Sequence, residues 1–236
     1  MKTHLTRTPV IALTVGLLAG AYLMSTANPA ASEDAPQKPA GEVAAATGPS
    51  KDKEKLESVT FGSGCFWCTE PLFAELKGVK SAVSGYSGGF IENPTYEQVC
   101  TDTTGHAEVV QVTYDPKIIS FPELLEVFWK THDPTTLNQQ GADSGTQYRS
   151  AVFYHNDEQR KQAEHYMKKL DESGAFGDPI VTEITKLKEF YPAEDYHQDY
   201  YATNPRAGYC QMVIRPKVNK FRKVFADKLK DPKDTK

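Results

Sequence analysis

From about residue 57 onward, apolar and polar positions divide the chain into short elements. Ser58-Val59-Thr60-Phe61 is a β-prone run stopped by Gly62-Ser63-Gly64. Beyond it Phe66, Phe73 and Leu76 recur at near-helical spacing, which predicts a helix opened by Cys65, lasting to about Leu76 and broken by Gly78. Val79 to Tyr86 reads as a second strand, and Gly85 to Gly89 as a turn-rich loop. The β-branched and aromatic residues Val109, Val110, Val112 and Tyr114 predict a third strand over Glu108 to Tyr114. Helical periodicity returns at Phe121 to Thr131 and at Asp157 to Glu172, followed by a strand at Val181 to Thr185 and a last helix from Pro216 to Leu229. Between His132 and Ser150 turn residues crowd together, and a long structured loop of that kind is often functional. Strands mixed with helices, with no repeating βαβ pattern and no internal repeat, predict an α+β fold rather than a doubly wound sheet. The lysine-rich stretch after Lys217 reads as a solvated helix face, and 231–236 as a tail.

What precedes this domain, expected over 56–230, has a different character. Lys2 and Arg7 lead an apolar run from Pro9 to Met24, followed by Ser25-Thr26-Ala27. A basic start, a short apolar stretch and a small-residue exit form the pattern of a secretory leader. The run of about 16 residues falls short of the ~20 that span a bilayer comfortably. Residues 1–27 are therefore expected to be a signal peptide, with an uncleaved N-terminal anchor as the alternative, and the domain that follows to be exported to the periplasm or cell envelope. Asn28 to Lys55 is rich in Ala, Pro, Glu, Lys and Gly and lacks periodicity and aromatics, the composition of a disordered linker.

Composition narrows the function classes. A hydrophobic fraction of 39 %, with 12 Tyr and 11 Phe, is enough for a packed core. A formal charge of -4 speaks against a nucleic-acid binder, which would show a strongly basic domain. Four cysteines, Cys65, Cys68, Cys100 and Cys210, are few for a disulfide-stapled scaffold. The tight pair Cys65/Cys68 therefore points to chemistry. At a strand-to-helix junction, free backbone N–H groups and the helix dipole favour an anion, so the Cys65 thiol is expected to have a lowered pKa and to act as a nucleophilic thiolate. Cys68, three residues on, shares its helix face and is within reach of resolving a sulfenic acid formed on Cys65. A zinc half-site would need a second ligand pair, which the other cysteines and the six histidines do not form. A purely structural disulfide across so short a loop would add little stability. Phe66 and Trp67 offer an apolar wall suited to a methyl group or a soft sulfur. In Gly105-His106-Ala107-Glu108, a carboxyl at the start of a buried strand is expected to have a raised pKa and to serve as a general acid, against the plainer reading of a solvated glutamate.

Gly64-Cys65-Phe66-Trp67-Cys68-Thr69-Glu70 resembles the signature of the A-type peptide methionine sulfoxide reductases. The likeness continues through Asn93-Pro94-Thr95-Tyr96-Glu97, Thr104 to Glu108, His132-Asp133-Pro134-Thr135, Gly145 to Ser150 and Ala193 to Gln198, covering roughly Ser58 to Phe225. The resemblance implies a fold related to the ferredoxin-like class, with a mixed sheet and surrounding helices. It implies reduction of the S epimer of methionine sulfoxide, free and in proteins, without a bound cofactor, using an external dithiol such as thioredoxin. Carried over by position, it makes Cys65 the nucleophile and Phe66 and Trp67 the methyl pocket. Glu108 becomes the acid, Tyr96 and Tyr148 the donors to the sulfoxide oxygen, and Asp143 a member of the same polar wall. The chain departs from the family where many members carry Gly in place of Cys68 and keep resolving cysteines in a Gly-rich tail. Cys68 is expected to resolve here, with Cys210 as the alternative and Cys100 a semi-buried bystander. Two other readings compete: a thioredoxin-like disulfide oxidoreductase, which needs no donor cluster, and an exported peptide-binding module with an inert disulfide.

Overall fold

A computed structural model of the protein describes residues 55–231. The chain divides into two units, 1–50 and 51–236. The leader or anchor expected over 1–27, the linker as far as residue 54 and the tail from 232 lie outside the described residues. Among the described residues no helix is long and apolar enough to cross a membrane.

The elements run β1 (Glu57–Ser63), α1 (Phe66–Ala74), β2 (Val79–Ser87), α2 (Tyr96–Val99), β3 (Ala107–Tyr114), α3 (Phe121–Thr131), β4 (Gln139–Gln140), β5 (Asp143–Ser144), β6 (Ser150–Tyr154), α4 (Asp157–Glu172), β7 (Glu183–Lys186), β8 (Phe190–Pro192), α5 (Tyr200–Thr203) and α6 (Arg215–Val224). Six strands form one sheet in the order β7-β6-β1-β3-β2-β8, and β4 pairs with β5 in a separate small hairpin. β1 and β2 each pair antiparallel with β3, so they run parallel to one another with α1 as their connection. β3 is antiparallel to β1, and so is β6, with α3 lying between β3 and β6 in sequence. Two βαβ units are thus interleaved, each holding a strand of the other, which is the split βαβ arrangement of ferredoxin-like folds. The α+β expectation holds. β7 adds a parallel edge beside β6, and β8 an antiparallel edge beside β2.

Alternation along the strands decides what meets α1. On β3, Val110, Val112 and Tyr114 join the main core, whereas Ala107 and Val109 turn to a smaller cluster with Ala151 and Phe153. Glu108, two residues before Val110, therefore faces the side of the sheet that α1 covers. The centre of the core is a stack in which Phe61 of β1 lies 5.0 Å from both Phe73 of α1 and Phe128 of α3. α3 turns Phe121, Leu124, Leu125 and Phe128 inward, and the Glu123 carboxylate accepts hydrogen bonds from the Ser120 N–H and hydroxyl at its start.

The sequence pattern missed β6, because Ala151, Val152 and Phe153 are all buried and the two-residue alternation vanishes. It also missed β8, only three residues long. The last helix is shorter than expected. It is preceded by a π-helical turn, Cys210–Ile214, and ends at Phe225, whose backbone leaves the helical region (φ -115°, ψ 29°). The loop from His132 to Ser150 is ordered internally: the β4–β5 hairpin is held by Gln140, whose side chain exchanges two 3.0 Å hydrogen bonds with the Asp133 backbone.

Candidate active site

Cys65 sits at the N-cap of α1, at the end of the turn that leaves β1. That turn requires Gly64: its φ is +85°, and a Cβ there would run into the Gln140 side chain of the β4–β5 hairpin at 2.6 Å. With no side chain at Gly64, the Gln140 side chain fits there and the hairpin closes over the start of α1. The first free amide of the helix, Phe66 N–H, donates to Glu108 Oε2 at 3.1 Å. The helix terminus thus engages the carboxyl of β3, and the Cys65 sulfur is left to neighbours of its own.

Cys65, Phe66, Trp67, Tyr96, Glu108, Asp143, Tyr148 and Tyr209 line one small cavity of about 90 Å³. All seven residues expected to bind substrate or take part in its reduction, Cys68 and Cys210 apart, meet there. Phe66 is buried and Trp67 half-buried. The indole stacks on Tyr200 with centroids 3.7 Å apart, and its N–H donates to His197 Nδ1 at 3.1 Å. Across the cavity the Tyr209 hydroxyl donates to Asp143 Oδ2 at 2.8 Å and lies 3.6 Å from Cys68 Sγ. Glu194 accepts from the Tyr96 N–H and from the Tyr86 hydroxyl, both at 2.9 Å, and so ties α2 to β2. The Tyr96 hydroxyl contacts the Cys100 thiol. Cys100 is exposed rather than semi-buried, because α2 is a four-residue turn on the surface that covers nothing at its end.

Burial governs the charges. It pushes Glu108 up to about 8, so at neutral pH this carboxyl is largely protonated, although the hydrogen bond from Phe66 pulls the other way. The two thiols hydrogen-bond one another and titrate as a pair. The hydrogen bond to Cys68, burial and the nearby Glu108 carboxyl raise the Cys65 thiol above its ordinary value. Cys68 is brought down to about 7 by the hydrogen bond from Cys65, with help from the Lys217 charge and the Tyr209 hydroxyl. This corrects the expectation of an intrinsically acidic Cys65. Within the pair the anion is favoured on Cys68 over Cys65, because Cys65 is the donor of their mutual hydrogen bond, the amide expected to stabilise it is taken by Glu108, and the Glu108 carboxyl beside it opposes a charge there. Cys210 is fully buried in the π-helical turn, and all four cysteines are free thiols.

Residues 57–229 match the sequence profile of the family described as peptide methionine sulfoxide reductase. The chain belongs to that family. It is 59 % identical over 180 residues to the peptide methionine sulfoxide reductase MsrA 1 of Rhodopirellula baltica, a match covering 76 % of this chain and 93 % of the relative. With the MsrA of Saccharolobus solfataricus it shares 56 % identity over 175 residues, 74 % of this chain and 98 % of that one. The solved structure of Mxr1 from Saccharomyces cerevisiae in reduced form has the same fold, with a TM-score of 0.63 at 38 % identity, covering 67 % of this chain and 91 % of that chain. Methionine sulfoxide reductase A of Corynebacterium diphtheriae gives 0.59 at 40 % identity, covering 66 % and 78 %.

In this member of the reductase family a second cavity, of about 420 Å³, is lined by Cys68 as well as Cys65. Ser63, Cys65, Cys68, Asp143, Lys217 and Phe221 are among its walls. Lys217, placed at the head of a solvated helix face by sequence reasoning, is half-buried there instead, because α6 presents Val218 and Phe221 to the core and carries Lys217 in beside them. Sequence reasoning also passed over Tyr209 and His197 as site residues. The only available signals were their places beside Cys210 and inside the matched segment Ala193 to Gln198, and neither marks a side chain that reaches α1 across more than a hundred residues of chain.

Proposed function

We propose that this chain reduces the S epimer of methionine sulfoxide, free and in proteins, to methionine, by a thiol mechanism that repairs oxidised proteins. The observation that carries the reading is the convergence, in one small cavity, of the Cys65 sulfur, a protonated Glu108 and an aromatic wall. The substrate methyl group packs against Phe66 and Trp67, and the sulfoxide oxygen points to Glu108, Tyr96 and Tyr148. Cys65 passes its proton to Cys68 along their hydrogen bond, and the Cys65 thiolate attacks the electrophilic sulfur while Glu108 protonates the oxygen. Methionine leaves and Cys65 keeps the oxygen as a sulfenic acid. Cys68, rather than the enclosed Cys210, condenses with it to a disulfide and releases water. No prosthetic group takes part; an external dithiol such as thioredoxin restores both thiols by exchange.

Export is part of the same proposal. The basic residues Lys2 and Arg7 ahead of the apolar run Pro9 to Met24 support delivery to the periplasm or cell envelope by a signal peptide or anchor, with Asn28 to Lys55 as a spacer between the leader and the domain of 56–230. Single-turnover reduction of a methyl aryl sulfoxide, with mass spectrometry of the thiols, tests the chemistry. One sulfide per enzyme and an oxidised Cys65 are expected, and neither in Cys65→Ser. Appreciable turnover in that variant would sink the assignment.

A further inference from the structure

The reaction proposed above makes a demand that the small cavity does not meet. Once Cys68 has taken the proton of Cys65, it must lose it again, in a buried place, before it can attack the sulfenic acid. Desolvation alone would keep it a thiol. The larger cavity supplies a cation where this is needed. Lys217 lines it together with both sulfurs, and its ammonium makes no hydrogen bond or ion pair with any described residue. We propose that Lys217 is a positioning residue for the resolving step, its ammonium holding the Cys68 sulfur as the thiolate that attacks the oxidised Cys65. This rests on Cys68 being the resolving thiol.

The surroundings leave Lys217 few other anions to serve. From α1 it faces Cys65 and Cys68, and from β5 Asp143, whose Oδ2 accepts the Tyr209 hydroxyl. At the end of α3 lie Lys130, Asp133 and His132. The His132 ring is held neutral by burial, which pulls it down to about 3, and both of its nitrogens are engaged, by Phe128 O and Ser150 Oγ at 2.7 Å each. The exposed Asp133 accepts from Thr135, and Lys220 of α6 is a further cation at the rim. Glu108 from β3 is protonated at neutral pH. Burial lowers the Lys217 pKa, and negative charge on Cys68, Cys65 and Asp143 opposes that shift. In the step itself an electron pair on Cys68 sulfur forms the S–S bond to Cys65. The Cys65 S–O bond breaks with its pair on oxygen, and the hydroxide so formed takes a proton and leaves as water. The sulfenic acid is the oxidant and Cys68 is oxidised, so no further reactant is needed.

Full-chain wild type, Lys217→Met and Lys217→Arg are each mixed with excess methyl p-tolyl sulfoxide in the absence of reductant and quenched at intervals. Sulfide, dimedone-trapped sulfenic acid and mapped disulfide are measured from pH 6 to 9. In Lys217→Met the sulfenic acid should accumulate. Disulfide formation near pH 7 should slow about tenfold, the effect of about one pKa unit on the thiolate fraction, and the difference should close as the pH rises. Lys217→Arg should restore most of the rate. Matching pH profiles in wild type and Lys217→Met would overturn the proposal. So would a slowing that is equal at every pH and is not rescued by arginine, because that would mean Lys217 only supports the fold. If the wild-type disulfide maps to Cys65 and Cys210, the underlying choice of resolving thiol fails, a result distinct from the other two.

Discussion

Glu108→Gln separates what the buried carboxyl does for catalysis from what it costs the fold. Glutamine has the shape and hydrogen-bonding pattern of a protonated glutamic acid, so its amide oxygen can still accept the Phe66 N–H, but it has no proton to give. With a pKa of about 8 in place of 4.5, about nine in ten Glu108 side chains are acids at pH 7, some 300-fold more than for an ordinary glutamate. The sulfoxide-reducing step should therefore slow by ~10² to 10⁴ in the variant. In the wild type the step should fall about tenfold per unit above pH 8, as Glu108 ionises, and fall again below pH 7, where Cys68 is itself protonated and cannot take the proton of Cys65. Stability should move the other way. Between pH 4.5 and 8 the folded protein keeps a proton that the unfolded chain releases, so this group's contribution declines as pH rises through that window. From pH 5 to pH 7.5 the loss amounts to about 3 kcal/mol, at about 1.4 kcal/mol per unit. Glu108→Gln should escape it, gaining on the wild type as the pH rises. Quenched-flow measurement of methionine release and urea unfolding at both pH values would check the two halves. A variant that reduces sulfoxide at the wild-type rate, or whose stability relative to wild type does not change with pH, would refute the assignment of Glu108 as a buried neutral acid.

Two further outcomes are expected. Cys68→Ser should release one methionine per enzyme and then stall with a sulfenic acid on Cys65, whereas Cys210→Ser should keep cycling with thioredoxin; mass spectrometry after one turnover would show the reverse if Cys210 resolves. Phe61→Ala removes the ring that stacks between Phe73 and Phe128 and should cost ~3 to 5 kcal/mol, read as a lower urea midpoint; a change under about 1 kcal/mol would mean that the core closes over the gap.

What the sequence disclosed followed from how local each signal was. The helix beginning at Cys65, the strand carrying Glu108 and the amphipathic α3 all announce themselves within a dozen residues by period and by turn residues. The fold class followed from their order. β6 did not, because a strand buried on both faces carries no alternation, and the short edge strand β8 is fixed by pairing with β2, not by its own composition. At the site, Cys65, Phe66 and Trp67 share one segment and Glu108 lies in another, so motif reading could find them. Lys217 could not be found in that way: a lysine within a lysine-rich helix looks solvated until the packing of Val218 and Phe221 fixes which way the helix is turned. The direction of the thiol pKa shifts was misjudged for a related reason. A helix N-terminus favours an anion, but here Glu108 occupies the first amide, and only the three-dimensional contact reveals that competition.

The π-helical turn at Cys210–Ile214 has a consequence for how one segment of chain can serve two surroundings. An α-helix advances about 100° per residue, so a continuous helix from Tyr209 to Val224 would lock every residue into a single angular phase. The wide turn takes up one extra residue and breaks that lock. Upstream of it, Tyr209 is free to aim at Asp143 and Cys68. Downstream, Val218 and Phe221 keep the phase that the core requires. The turn works as an angular coupling between a part that answers to chemistry and a part that answers to packing, so residues on one side can be substituted without rotating those on the other.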